Sequence, residues 1–247
     1  MASSAHSGGY PLRVREQPEQ QAPPVQRLRI RYAKRGRLRF TSHRDFSRAF
    51  ERAVFRARIP MAYSSGFNPH PRISYAGAAP TGSASEAEYV EIALAEIVDP
   101  ATVLAQLDAV LPDGLDVLEA VESAGASLTD RLEASRWLID LAVTEADAVR
   151  AVERFLAAEE VPVERMTKKG LRTFDCRAAV VALAAGAGDR GARLDVVLRH
   201  GVPSVRPDDV LTGLASVGEL AGVDDPLFTR LAQGPLSGDG VIGDPLA

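Results

Sequence analysis

His43 and His70 are the side chains of this chain best suited to proton transfer, and both lie in an unusually basic stretch. Residues 27–72 hold thirteen Lys or Arg against two acids, Asp45 and Glu51, a net of +11 in a chain of net −4, so the remainder carries −15. A basic segment with polar and aromatic residues built into it suits a polyanion. Histidine is the common general acid or base, so such a pair suggests metal-free cleavage of RNA as one activity. Metal binding needs three or four clustered ligands. His6, His200 and Cys176 are too scattered in sequence to complete such a set, and no metal or cofactor is expected. A single cysteine excludes an intramolecular disulfide and any all-cysteine zinc or iron–sulfur site within the chain. No phosphate-cradling glycine loop, dinucleotide fingerprint or nucleophile elbow is present.

The residues expected to hold RNA fall into three groups. Arg29, Arg31, Arg37 and Arg39 alternate with apolar residues, which predicts a hairpin with arginines on one face. Arg44, Arg48 and Arg52, with Arg56 further on, recur every four residues on a helix whose opposite face carries Phe46, Ala49, Phe50 and Ala53. Phe55 falls among these arginines, where it either packs under the loop that follows or offers a stacking surface to a base. In the loop from Tyr63 to Arg72, Gly66 permits positive φ, and two prolines bias Asn68 and His70 to extended geometry. Tyr63, Asn68, His70 and Arg72 are its candidate contacts. The alternative is that charge merely neutralises charge on folding, because residues 86–160 carry eighteen acids and four bases.

These groups need a scaffold. Ser42 reads as an N-cap with Asp45 three residues on, opening a helix over 43–58. Strands are expected at 72–78, 87–95 and 115–121, with a helix at 99–111. After 135 the order repeats: a strand at 136–143, a helix at 145–159, strands at 173–183 and 193–200, a helix at 206–217 and a short strand at 226–232. The fold class is α+β, two tandem ferredoxin-like (βαββαβ) halves at 27–122 and 135–232. Residues 1–26 read as a disordered tail and 233–247 as a flexible one. No apolar run is long enough for a membrane span, and the N-terminus lacks a secretory h-region, so a cytoplasmic protein is expected.

Three blocks carry a resemblance: Arg39-Phe40-x-Ser42-His43-x-Asp45, Ala62-Tyr63-Ser64-x-Gly66-Phe67-Asn68-Pro69-His70-Pro71, and Gly82-x-x-Ser85-Glu86-x-Glu88-Tyr89. A weaker one follows at Lys169-Gly170-x-Arg172-x-x-Asp175-x-Arg177. Together they make the chain similar to the radical-SAM-linked domain family of uncharacterised proteins. The resemblance implies a partner class, a radical SAM protein or an E/G-type ribonuclease, and no reaction. The chain has no three-cysteine motif, so any radical chemistry belongs to the partner. Tandem ferredoxin-like halves also resemble CRISPR-type endoribonucleases and the core of some pseudouridine synthases, which handle RNA.

The function expected from these readings is a non-catalytic RNA-binding accessory module that presents structured RNA, tRNA or rRNA, to a partner enzyme. The alternatives are a protein-interaction subunit that docks a radical SAM partner without RNA, and a metal-free endoribonuclease using His43 and His70.

Overall fold

The computed structural model describes residues 20–167 and 170–247. The expected disordered tail lies outside these up to residue 19; at Gln26 the chain is already in a strand. Among the described residues the chain is a mixed α/β protein with four α-helices and a mostly antiparallel sheet.

The first half contains β1 (Gln26–Lys34), α1 (His43–Arg56), β2 (Ile73–Ala76), β3 (Ala84–Leu94), α2 (Pro100–Asp108) and β4 (Val117–Glu122). The second contains β5 (Ala134–Leu141), α3 (Glu145–Ala157), β6 (Pro162–Thr167), β7 (Gly170–Asp175), β8 (Val180–Gly188), β9 (Gly191–Arg199), α4 (Pro207–Val217) and β10 (Leu227–Gly234). The large sheet runs β4-β1-β3-β10-β5-β9-β8, and β2 pairs with the far edge of β3. Strand order β4-β1-β3-β2 in one half thus answers to β10-β5-β9-β8 in the other. The halves join where β10 runs parallel to the start of β3, Arg230 opposite Ser85.

Side-chain alternation sets the layers. In β1, Leu28, Ile30 and Tyr32 face α1 and α2, and pack with Phe46, Phe50, Val90, Ile92 and Leu107. The second half builds a like core from Ile139, Leu141, Phe155, Leu194 and Leu214. The other face of the sheet is covered by the linker and the chain end: Leu128, Leu132 and Leu246 pack on Ala76, Ala87 and Tyr89.

The structure corrects three expectations. The second strand of the arginine hairpin does not exist. Residues Gly36–Phe40 form a 3-10 turn, with the Leu38 amide donating to the Arg35 carbonyl at 3.1 Å. Both edges of β1 are already taken, by β3 and by β4, so no hairpin partner can pair there. The strand expected over 173–183 breaks at a 3-10 turn, Arg177–Ala179. Its first part, β7, pairs with β6 in a separate hairpin that the alternation did not reveal. Finally, 233–247 is not a loose tail. Leu236 bridges Ile242, and Leu246 is buried because it fills the apolar patch with Leu128, Leu132 and Tyr89.

Candidate nucleic-acid interface

Ser42 opens α1. Its hydroxyl accepts from the Asp45 amide at 3.2 Å and donates to the Asp45 carboxylate at 2.6 Å, satisfying an orphan amide of the first turn. Phe46, Phe50, Ala53 and Val54 then face the core. This pins the helix so that Arg44, Arg48, Arg52 and Arg56 all face solvent. Among the described residues these four, with Arg37 and Arg58, form no ion pair. Phe55, among them, is 80% exposed.

The arginines of β1 have a different fate. Arg29 is fully buried, bonded to Glu91 at 3.2 Å and to the Ala126 carbonyl of the linker. Arg31 pairs with Glu119 at 3.3 Å and Arg27 with Glu91 at 3.2 Å. Arg35 is held by both Glu86 and Asp116, whose carboxylates raise its already high pKa. Arg29 is therefore removed from the expected RNA contacts, while Arg31 stays partly exposed beside its acid. Antiparallel pairing sets acidic β3 and β4 on either side of basic β1, and the charges cancel there. Cancellation thus holds for the strand and fails for the helix.

The loop after α1 is closed on itself. The Ser64 amide donates to the His70 carbonyl at 2.9 Å, and the His70 amide returns a bond to Ser64 Oγ at 3.0 Å. Gly66, at φ +127°, holds a backbone angle that side chains disfavour. The Arg72 Nε–H donates to the Tyr63 carbonyl at 3.0 Å, tying the loop base. Tyr63, Phe67, Asn68 and His70 are exposed around it. Phe67 is 62% exposed.

The two histidines play separate local parts. His43 meets Tyr75 edge to face, ring centroids 5.1 Å apart. Burial pushes the Tyr75 phenol up to about 12, so it stays a donor, directed at the Ser47 carbonyl at 3.5 Å. His70 belongs to the loop, and the two share no hydrogen-bond partner among the described residues. No cluster of three His, Cys, Asp or Glu side chains suited to a metal occurs among the described residues. Cys176 is buried, and burial pushes its thiol up to about 12, which makes it a poor nucleophile.

Sequence reasoning missed Phe40, which is 62% exposed on the 3-10 turn, with the Arg39 guanidinium 5.0 Å from its ring. Assigning that segment to a strand had placed Phe40 on the apolar face. Exposed Arg58, just past α1 at φ +55°, was missed as well.

No helix among the described residues is long and apolar enough to cross a membrane. No curated protein matches the chain. Among solved structures it is similar to one described as the crystal structure of a Cbf5-Nop10-Gar1 complex, at 12% identity and a TM-score of 0.44. That match covers 88% of this chain and 56% of the other, so this chain spans little more than half of its length. A family model described as an uncharacterized protein conserved in bacteria matches residues 27–207, and the chain belongs to that family, DUF2344.

Proposed function

We propose that this chain is an RNA-binding accessory module, and that the outer face of α1 is its main contact. One observation carries the reading: four solvent-facing arginines, without ion pairs among the described residues, share the outer face of α1 with Phe55, which is 80% exposed. A bare aromatic among free guanidiniums matches the requirement of a nucleic acid, phosphates for the charges and a base for the ring. Arg37, Arg39 and Phe40 extend the surface beyond the start of the helix, and the Tyr63–Arg72 loop adds Asn68 and His70.

The matching strand orders of the two halves support reading each as ferredoxin-like, with β6–β7 inserted in the second. The resemblance to radical-SAM-linked proteins supports a radical SAM enzyme or an E/G-type ribonuclease as the partner that receives the RNA, in the cytoplasm. In this reading His43 is a packing residue against Tyr75 and His70 a loop contact, so the module itself performs no cleavage.

The test is an electrophoretic shift with tRNA and rRNA fragments across a salt series. Neutralised phosphates release counterions, so affinity must fall steeply as salt rises. Absent or salt-insensitive binding overturns the reading.

A further inference from the structure

Between the halves, away from α1, lies a cavity of about 500 Å³. Its wall draws on the β2–β3 loop, the linker, β5, the segment before α4, and β10, so both halves build it. Its volume is in the range of small-molecule sites, roughly 300–1,000 Å³. Among the described residues no carboxylate lines it.

The floor is fixed from within. Arg230 donates through Nε to Ser85 Oγ at 3.2 Å, through Nη1 to the Gly77 carbonyl at 2.6 Å, and through Nη2 to Glu88. Its guanidinium lies 5.4 Å from the Trp137 ring centroid. Trp137 Nε1 donates to Ser135 Oγ at 2.8 Å. His200 Nδ1 lies 2.7 Å from the Leu132 carbonyl, which can only accept, so Nδ1 carries the proton. His200 Nε2 is then the acceptor for the Ser135 hydroxyl at 2.9 Å. Burial lowers the His200 pKa, which keeps this imidazole neutral.

The charges behind the wall do not balance. Lys34, Glu88 and Arg230 are 5%, 2% and 3% exposed, two basic side chains against one acidic one, and burial lowers the Lys34 pKa. Among the described residues the Lys34 ammonium finds only the Ala79 and Pro80 carbonyls, at 3.3 and 3.4 Å. Unbalanced buried charge is costly unless something compensates it. At the rim, Arg206 adds a further cation that makes no ion pair among the described residues. Thr129 and Ser204 line the same cavity, and their side chains have no hydrogen-bond partner of their own among the described residues.

We propose that this cavity binds a small organic anion of about nucleotide size, its phosphate or carboxylate held by Arg206 and its body seated against Trp137 and Leu132. The proposal is independent of the RNA surface. The test is isothermal titration of the full chain with four probes: uridine 5′-monophosphate, indole-3-acetate, uncharged uridine and inorganic phosphate. The proposal expects one or both organic anions to bind, and which one identifies the headgroup. Uridine and phosphate alone should bind at least tenfold more weakly. Arg206→Ala should weaken the organic anion at least tenfold while leaving the ligand-free Tm unchanged. Arg48→Glu should leave it unaffected, which separates this site from α1. Binding of neither organic anion, equal binding of uridine or of phosphate, or full binding by Arg206→Ala would each overturn the proposal.

Discussion

Arg230 Nη2 donates to Glu88 Oε1 across the seam of the two halves, and each side chain is only 3% exposed. Glu88 also accepts the Ala79 amide on both carboxylate oxygens, at 3.2 and 3.3 Å, and so anchors the β2–β3 loop over β10. The short β3–β10 contact is thus reinforced by a buried ion pair.

Breaking that pair should cost stability. Glu88→Gln leaves Lys34 and Arg230 as buried cations without an anion, and loss of one partner of a buried pair costs about 3–5 kcal/mol. Urea unfolding should show a clearly lower midpoint. Replacing both Glu88 and Arg230 by Met should be milder than Glu88→Gln alone, and the reverse order would contradict this assignment.

The loop beneath the pair is equally constrained. Gly77 has φ +56°, and an added Cβ would lie 2.6 Å from Gln233 Oε1 and 2.9 Å from Leu132 Cδ1. Gly77→Ala should therefore destabilise by about 1–2 kcal/mol from the backbone alone, with overpacking adding about 1–3 kcal/mol. A thermal midpoint equal to that of the unmodified chain would show that the loop yields freely.

Stability should also depend on pH through His200. Burial lowers its folded-state pKa, so between that value and the unfolded one, about 6.5, the unfolded chain binds more protons. Stability from this group is full above about pH 6.5 and is lost as pH falls below it. His200→Gln should flatten the midpoint-versus-pH curve in the acid range. An unchanged slope would mean that His200 is not held neutral.

The helices were legible in the sequence because their signals are local. Ser42 with Asp45 marks the start of α1, and the Ser42 hydroxyl accepts the expected amide bond. The place of Phe55 among the helix arginines followed from the 3.6-residue period, but whether a loop covered it did not. The hairpin error had a non-local cause. Alternation over Arg37–Phe40 fits a strand, but no free edge of β1 was left to receive it. The fate of Arg29 was hidden for the same reason. Its burial depends on Glu91 and Ala126, 62 and 97 residues away, which short-range pattern cannot place. The seam cluster was half visible, since Ser85 and Glu88 stood out as a motif while Arg230 lay in a segment read only as a short strand.

The two arginine populations should separate by experiment. Arg29→Ala should lower the unfolding midpoint by emptying a fully buried site and taking one of two arginine partners from Glu91, yet leave the salt dependence of RNA binding unchanged in the folded protein. Arg48→Glu should do the opposite. A stability loss for Arg48→Glu without any change in binding would mean that the solvent face of α1 is structural.

The central claim is tested most directly by fluorescence anisotropy with labelled tRNA between low and physiological salt, comparing the unmodified chain with Arg48→Glu and Phe55→Ala. Each lost phosphate contact should reduce the slope of log affinity against log salt by about 1. Arg48→Glu should therefore bind more weakly, with a shallower slope. Phe55→Ala removes stacking worth about 1–3 kcal/mol and no charge, so its line should lie below and parallel to the original. If both variants bind like the unmodified chain, the α1 face is not the RNA interface.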